Sequence, residues 1–221
     1  MNFFKLEGIV INRREYGEGD YYLTIFTSRL GKITFIVKGI KKSKRRDQNS
    51  VDLLSKSEFS VYKNKEKFTL SDSVTMDTFE NLRRDFFKSS VGFYLAGILN
   101  VILIEGEIKE ELYNLFNNSL NFLNKTEDTA KMYLLIAYFL NKISIEEGIK
   151  YDFEKEISTV KFSKQSEEYE ILKGISEGRT KIILDRTYAI ESIKKVITIY
   201  EQYLNFHLDL SLDLKKYLLE D

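Results

Sequence analysis

The chain contains no cysteine, which excludes disulfides, thiolate metal sites and a cysteine nucleophile. Its one histidine, His207, leaves no room for a histidine-built metal cluster. Proline is absent too, against about one residue in twenty normally, and no structural conclusion follows from that. No apolar run reaches the roughly 18 residues that span a bilayer. The start, Met1-Asn2-Phe3-Phe4-Lys5-Leu6-Glu7, lacks the long uncharged core of a signal peptide, so a cytoplasmic protein without a membrane partner is expected. Signs of catalysis are equally sparse. A serine or threonine nucleophile needs a base beside it, and His207 lies in a helical stretch far from any nucleophile motif. The neighbouring acids Glu146-Glu147 and Glu167-Glu168 point apart on a helix and read as surface charges. No enzyme and no cofactor are expected.

What is present is a folded core and an uneven charge. The 221 residues are 43% apolar, which suits one large domain or two small ones. Lys plus Arg equals Asp plus Glu at 34 each, yet residues 1–80 hold 15 cations against 11 acids and residues 81–221 hold 19 against 23. The excess positive charge is concentrated after an apolar strand, in Val37-Lys38-Gly39-Ile40-Lys41-Lys42-Ser43-Lys44-Arg45-Arg46, with six cations in nine residues. Charge runs are commonly solvated loops. This one leaves a strand inside a compact β region, and a cationic loop held by a scaffold attracts polyanions by releasing their condensed counterions. Arg13, Arg14 and Lys32 join Lys38, Arg45 and Arg46 as candidate phosphate contacts on the same charge argument.

Short strands account for the first eighty residues. Alternation marks Phe4–Arg13, Tyr21–Thr27 and Lys32–Lys38, with two more strands at Glu58–Lys63 and Lys67–Leu70. Five short strands in about seventy residues fit a closed barrel of OB-fold size, whose surface often carries base-stacking aromatics beside cations. Tyr16, Tyr21, Tyr22 and Phe35 are the stacking candidates, and Tyr16, in a loop, is the one least committed to a core. The glycines of Tyr16-Gly17-Glu18-Gly19-Asp20 suggest a phosphate cradle, but no helix follows and Glu18 and Asp20 would repel phosphate, so the segment reads as a tight turn.

Helices follow. The spacing predicts a central bundle helix from Asp77 to about Ile104, a second marked by Ile108 to Leu123, a third by Met132 to Ile143 and a fourth by Ile190 to Leu204. Ser211 is placed to cap a last helix through Leu218. Residues 148–182 read as an irregular insert with at most one short helix, Glu167–Ser176. The fold class is α+β: an OB-fold barrel at 1–77 and a helical domain at 78–221.

Several blocks in order resemble the bacterial recombination mediator family RecO. They are Leu6-Glu7-Gly8-Ile9-Val10-Ile11, Arg14 to Asp20, Thr24-Ile25-Phe26-Thr27 and Gly31 to Gly39, followed by Phe79 to Asp85, Tyr94-Leu95-Ala96, Glu105-Gly106-Glu107 and Tyr203 to Leu208. The resemblance implies a non-catalytic protein that binds single- and double-stranded DNA and anneals complementary strands. It also implies partners: RecR, the acidic tail of single-strand-binding protein, RecA, which is loaded onto coated gaps, and RecF. It assigns DNA contact to Lys38, Lys41, Lys42 and Lys44. Many members carry a four-cysteine zinc module near the position of Tyr151 to Gln165; this chain has no cysteine, so no metal is carried over. Where members often have an acid after the Tyr-Leu-Ala block, Gly97 stands here, at a cost of about 1 kcal/mol in a helix unless it permits close packing. His207 near a helix end complements the dipole. The alternative function is an adapter whose basic run meets an acidic protein tail with little direct DNA binding.

Overall fold

The computed structural model describes residues 2–43, 45–64, 67–156 and 162–219. Five strands, β1 (Asn2–Tyr16), β2 (Asp20–Thr27), β3 (Gly31–Val37), β4 (Lys56–Asn64) and β5 (Lys67–Asp77), close into a barrel in the order β1-β2-β3-β5-β4. Neighbours run antiparallel except β3 and β5, which close the barrel in parallel. This is an OB-fold. Strands β1 and β5 are longer than the alternation indicated, because their outer ends lie on the barrel surface where apolar periodicity fades.

Inside the barrel sit Leu6, Val10, Leu23, Ile25, Ile33, Phe35, Val37, Phe59, Val61 and Leu70, with Ile40 and Val51 plugging it from the connection after β3. Phe35 is therefore core and unavailable to a base; its ring packs edge-on against Phe59 at 6.0 Å. Ile9 faces outward by alternation with Val10, and Ile11 sits at a bulge between Val10 and Asn12, yet both are buried. Helices packed on the outside of the barrel account for this.

The helical stretch expected from Asp77 to Ile104 is two helices, α1 (Glu80–Arg84) and α2 (Phe86–Ile102). The Asp77 carboxylate accepts from the Phe79 amide at 2.7 Å and so makes a turn, with Phe79 left-handed at φ 50°, before any helix begins. Asp85 is extended and caps α2 by accepting from the Lys88 amide at 2.9 Å. Nor is α2 the centre of a bundle. It packs on β1 and on α3 (Glu110–Lys125), while Phe86, Phe93 and Val101 stay exposed. Tyr113 of α3 meets Phe26 edge-on at 5.6 Å and donates to Glu7 at 3.0 Å, covering the outer face of β1 and β2.

The chain forms two compact units, 1–125 and 126–221. Strand gives way to helix after Asp77, but compactness divides the chain after Lys125, so three helices belong with the barrel.

In the second unit α4 (Thr129–Glu146) pairs with α8 (Ile190–Leu208), and the Tyr200 hydroxyl donates to Asn141 at 3.3 Å between them. The stretch 148–182 is more regular than expected: α5 (Phe153–Glu156), α6 (Glu167–Ser176) and α7 (Thr180–Leu184) are all helical. Short helices escape a periodicity reading because one turn offers a single apolar repeat. Gly174 permits α7 to approach α6, since a Cβ there would lie 2.4 Å from Ile183. Glu168 is buried and ion-paired to Lys195 at 2.8 Å, a correction to its reading as a surface charge. The last helix, α9, covers only Lys215–Leu218, and Ser211 does not cap it. Among the described residues no helix is long and apolar enough to cross a membrane.

Candidate nucleic-acid interface

The basic segment is held at both ends. Gly39 is left-handed at φ 64°, a conformation glycine adopts without steric cost, and it turns the chain into a single 3-10 turn, Ile40–Lys42. Ile40 then enters the barrel core. At the far end Asp47 accepts from the amides of Thr75 and Asn49 at 2.8 and 3.1 Å, and Ser50 hydrogen-bonds Ser73 at 2.7 Å, so β5 anchors the return. Burial opposes the charge on Asp47, but the hydrogen bonds to Thr75 and Asn49 outweigh it and hold its pKa below the ordinary value.

The expected cations differ in what they touch. Lys38 and Arg45 project into solvent without an ion pair among the described residues, as does Arg14 on β1. Arg46 donates to the Lys38 carbonyl at 2.7 Å and braces the loop. Lys41 is ion-paired to Glu15, Lys42 to Glu18 at 3.7 Å, and Arg13 to Asp52. The contact with Lys41 holds the Glu15 carboxyl below the ordinary carboxylate range and raises Lys41 in turn. Lys44 lies outside the described residues. Lys32 does not join the others: its ammonium donates to the Asn100 carbonyl in the last turn of α2 at 2.9 Å. Burial lowers its pKa, against an opposing pull from Glu105.

The turn Tyr16–Asp20, read from sequence as a tight turn whose acids would repel phosphate, lies against this loop. Asp20 accepts from the Gly39 amide at 2.7 Å, and the Lys42 stem passes 3.5 Å from where a Gly19 Cβ would sit. Glu15 and Glu18, 26 and 24 residues from Lys41 and Lys42 in sequence, thus offset part of the cationic run, which the sequence pattern gave no means of seeing.

The aromatics sort by face. Tyr21 packs against the core, and its ring is occupied by Arg13 at 4.7 Å and Lys41 at 4.9 Å. Tyr16 and Tyr22 are exposed, at 47% and 36%, and meet edge-on with centroids 4.6 Å apart. Arg14 is the cross-strand neighbour of Tyr22, and Tyr22 that of Ile36, so Arg14, Tyr22 and Ile36 form one outward row. Lys38 follows Ile36 by two residues. Tyr22 was among the expected stacking residues, and Ile36 was not; strand alternation, which places Tyr22 opposite the core-facing Tyr21, was the available signal for the row.

Comparison with known proteins bears on the barrel first. Residues 1–79 match the family described as Recombination protein O N terminal. In its amino-terminal barrel this chain is similar to the RecO family. The DNA repair protein RecO of Alkaliphilus metalliredigens is 32% identical over 146 residues, 66% of this chain and 58% of that protein. That of Acetivibrio thermocellus is 33% identical over 127 residues, covering 58% and 51%. The Clostridium novyi protein is 28% identical over 155 residues, 70% of this chain and 60% of its relative. In each case the RecO-like chain spans roughly half to three fifths of the relative's length.

Proposed function

We propose that this chain is a DNA-binding recombination mediator acting in DNA repair. The observation that carries the reading is the outward row on the barrel, where exposed Arg14 and Lys38 flank the exposed Tyr16 and Tyr22 pair beside the anchored cationic loop. Cations at that spacing track a phosphate backbone, and an open aromatic pair offers π faces to unpaired bases of any sequence. The loop's contacts with phosphate carry no base information, so double-stranded DNA is held there too, more weakly because its bases are stacked away from the tyrosines. Lys38, Lys41, Lys42, Lys44, Arg45, Arg46, Arg13 and Arg14 are the proposed backbone contacts; Lys32 supports the scaffold.

Annealing follows from the same electrostatics. Two complementary strands repel through their phosphates, and a cationic surface that screens both lets pairing proceed without nucleotide hydrolysis or a metal. The partners we propose are RecR, the acidic tail of single-strand-binding protein, RecA and RecF, with the acidic helical half as their docking part.

Salt titration with a single-stranded oligonucleotide tests the DNA reading. About five phosphate contacts give a log-log slope near −3.5, and reversing Lys41, Lys42 and Arg45 flattens it. Binding that survives the reversal at an unchanged slope removes the loop from the site and favours the adapter role.

A further inference from the structure

Three carboxylates of the β1–β2 hairpin tip, Glu15 at the end of β1, Glu18 in the turn and Asp20 at the start of β2, each hold a donor of the basic loop. Glu15 pairs with Lys41, Glu18 with Lys42, and Asp20 accepts from the Gly39 amide at 2.7 Å. The three donors fall within four residues of the loop, 39–42, and the three acids within six residues of the hairpin, 15–20. The two lysine pairs are largely open to water: Glu15 and Glu18 side chains are 74% and 97% exposed. Exposed pairs of this kind are worth little, and a denser anion displaces them.

We infer that the turn occupies phosphate positions. On binding, Lys41, Lys42 and the Gly39 amide each exchange a carboxylate of the turn for a phosphate of the polynucleotide. The inference rests on the reading that the loop contacts DNA, and adds to it the ligand positions and a selectivity. Three linked carboxylates are displaced together by a chain of phosphates, because each exchange brings the next phosphate close. A mononucleotide displaces one at most and gains no such help. Gly17, left-handed at φ 62° with open space around its Cα, gives the turn a tip that can move aside once its carboxylates are released.

The alternative is that the carboxylates hold their partners permanently and only shape the loop. Isosteric amides separate the two, since Asn and Gln keep an acceptor while losing the charge. The experiment compares Glu15→Gln/Glu18→Gln/Asp20→Asn with the parent chain, using a 20-nucleotide oligothymidylate near 0.15 M salt, where remote charges are screened. A Glu58→Gln/Asp72→Asn variant, altering acids on the surface of β4 and β5 that have no ion pair with the turn or loop among the described residues, reports the general field effect.

Exchange predicts about tenfold tighter binding for the triple variant, more than for the control, with the salt slope unchanged because Lys41 and Lys42 already meet phosphates in the parent. Permanent pairing predicts a slope steeper by about 1.4, as two newly freed lysines add phosphate contacts at about 0.7 each. That result overturns the inference. An affinity unchanged, or raised only as far as in the control, overturns it as well. Lys41→Glu/Lys42→Glu tells this failure from a deeper one: if that variant binds as the parent does, the DNA reading of the loop falls first.

Discussion

Lys32 and Lys38 sit at opposite ends of β3, six residues apart, and have opposite surroundings. The first is drawn under the last turn of α2, donating to Asn100 at 2.9 Å beside a short bridge between Lys32 and Glu105. The second leaves the barrel with its ammonium exposed and without an ion pair among the described residues, while its carbonyl accepts from Arg46. Both read alike in sequence, as a lysine beside a glycine at a strand boundary. The difference lies in which end of the barrel the helices occupy. At the covered end a cation completes backbone carbonyls; at the open end the same side chain is available to a ligand.

The covered end gives the largest expected effect. Gly31 is left-handed at φ 65°, and a Cβ there would lie 1.9 Å from the Glu107 carbonyl oxygen. Gly31→Val meets both the conformational penalty and the clash, so urea denaturation should show a loss of about 3–5 kcal/mol. A loss below about 1 kcal/mol would mean that the segment after α2 is not fixed against β3, and the comparison between the two ends would break.

The open end comes next. Arg14→Glu/Lys38→Glu/Arg45→Glu alters three exposed cations without internal ion pairs among the described residues, so the melting temperature should hold. Oligonucleotide affinity near 0.15 M salt should fall about a hundredfold, and the salt slope should flatten by about 2. A smaller effect, about tenfold, is expected from Tyr16→Ala/Tyr22→Ala, and for single strands only, since stacking on an aromatic is worth about 1–3 kcal/mol per unpaired base. Equal losses on single and double strands would assign the tyrosines to packing.

The strand halves of this picture were legible because alternation reports burial directly. Ile33, Phe35 and Val37 marked the inward face of β3, and the basic run marked its exit. Local signals carried less where the deciding contact was distant. Asp85 looked like any acid within an apolar helix until its extended backbone and its bond to the Lys88 amide separated α1 from α2. Glu168 looked exposed because its partner, Lys195, is 27 residues away. The pairing of Lys41 with Glu15 spans 26 residues and needs the barrel to bring turn and loop together. Charge composition therefore marked a cationic region but overstated how many of its cations stand free.

The smallest effect tests Lys32 alone. Burial pulls its pKa below the ordinary lysine value of 10.5 more strongly than Glu105 restores it, so the folded protein holds this proton less tightly than the unfolded chain does. A lowered lysine makes stability rise with pH between the folded pKa and 10.5, since the unfolded state binds more protons there. Lys32→Met keeps the packing stem and removes the titration. Its stability at neutral pH should lie within about 1 kcal/mol of the parent, because the lost hydrogen bond to Asn100 offsets the relieved burial of charge. Melting temperatures taken from pH 8 to 10.5 should rise in the parent relative to the variant, while oligonucleotide affinity stays the same. An affinity loss comparable to that of Lys38→Met would place the covered end in the DNA site and erase the distinction between the two lysines.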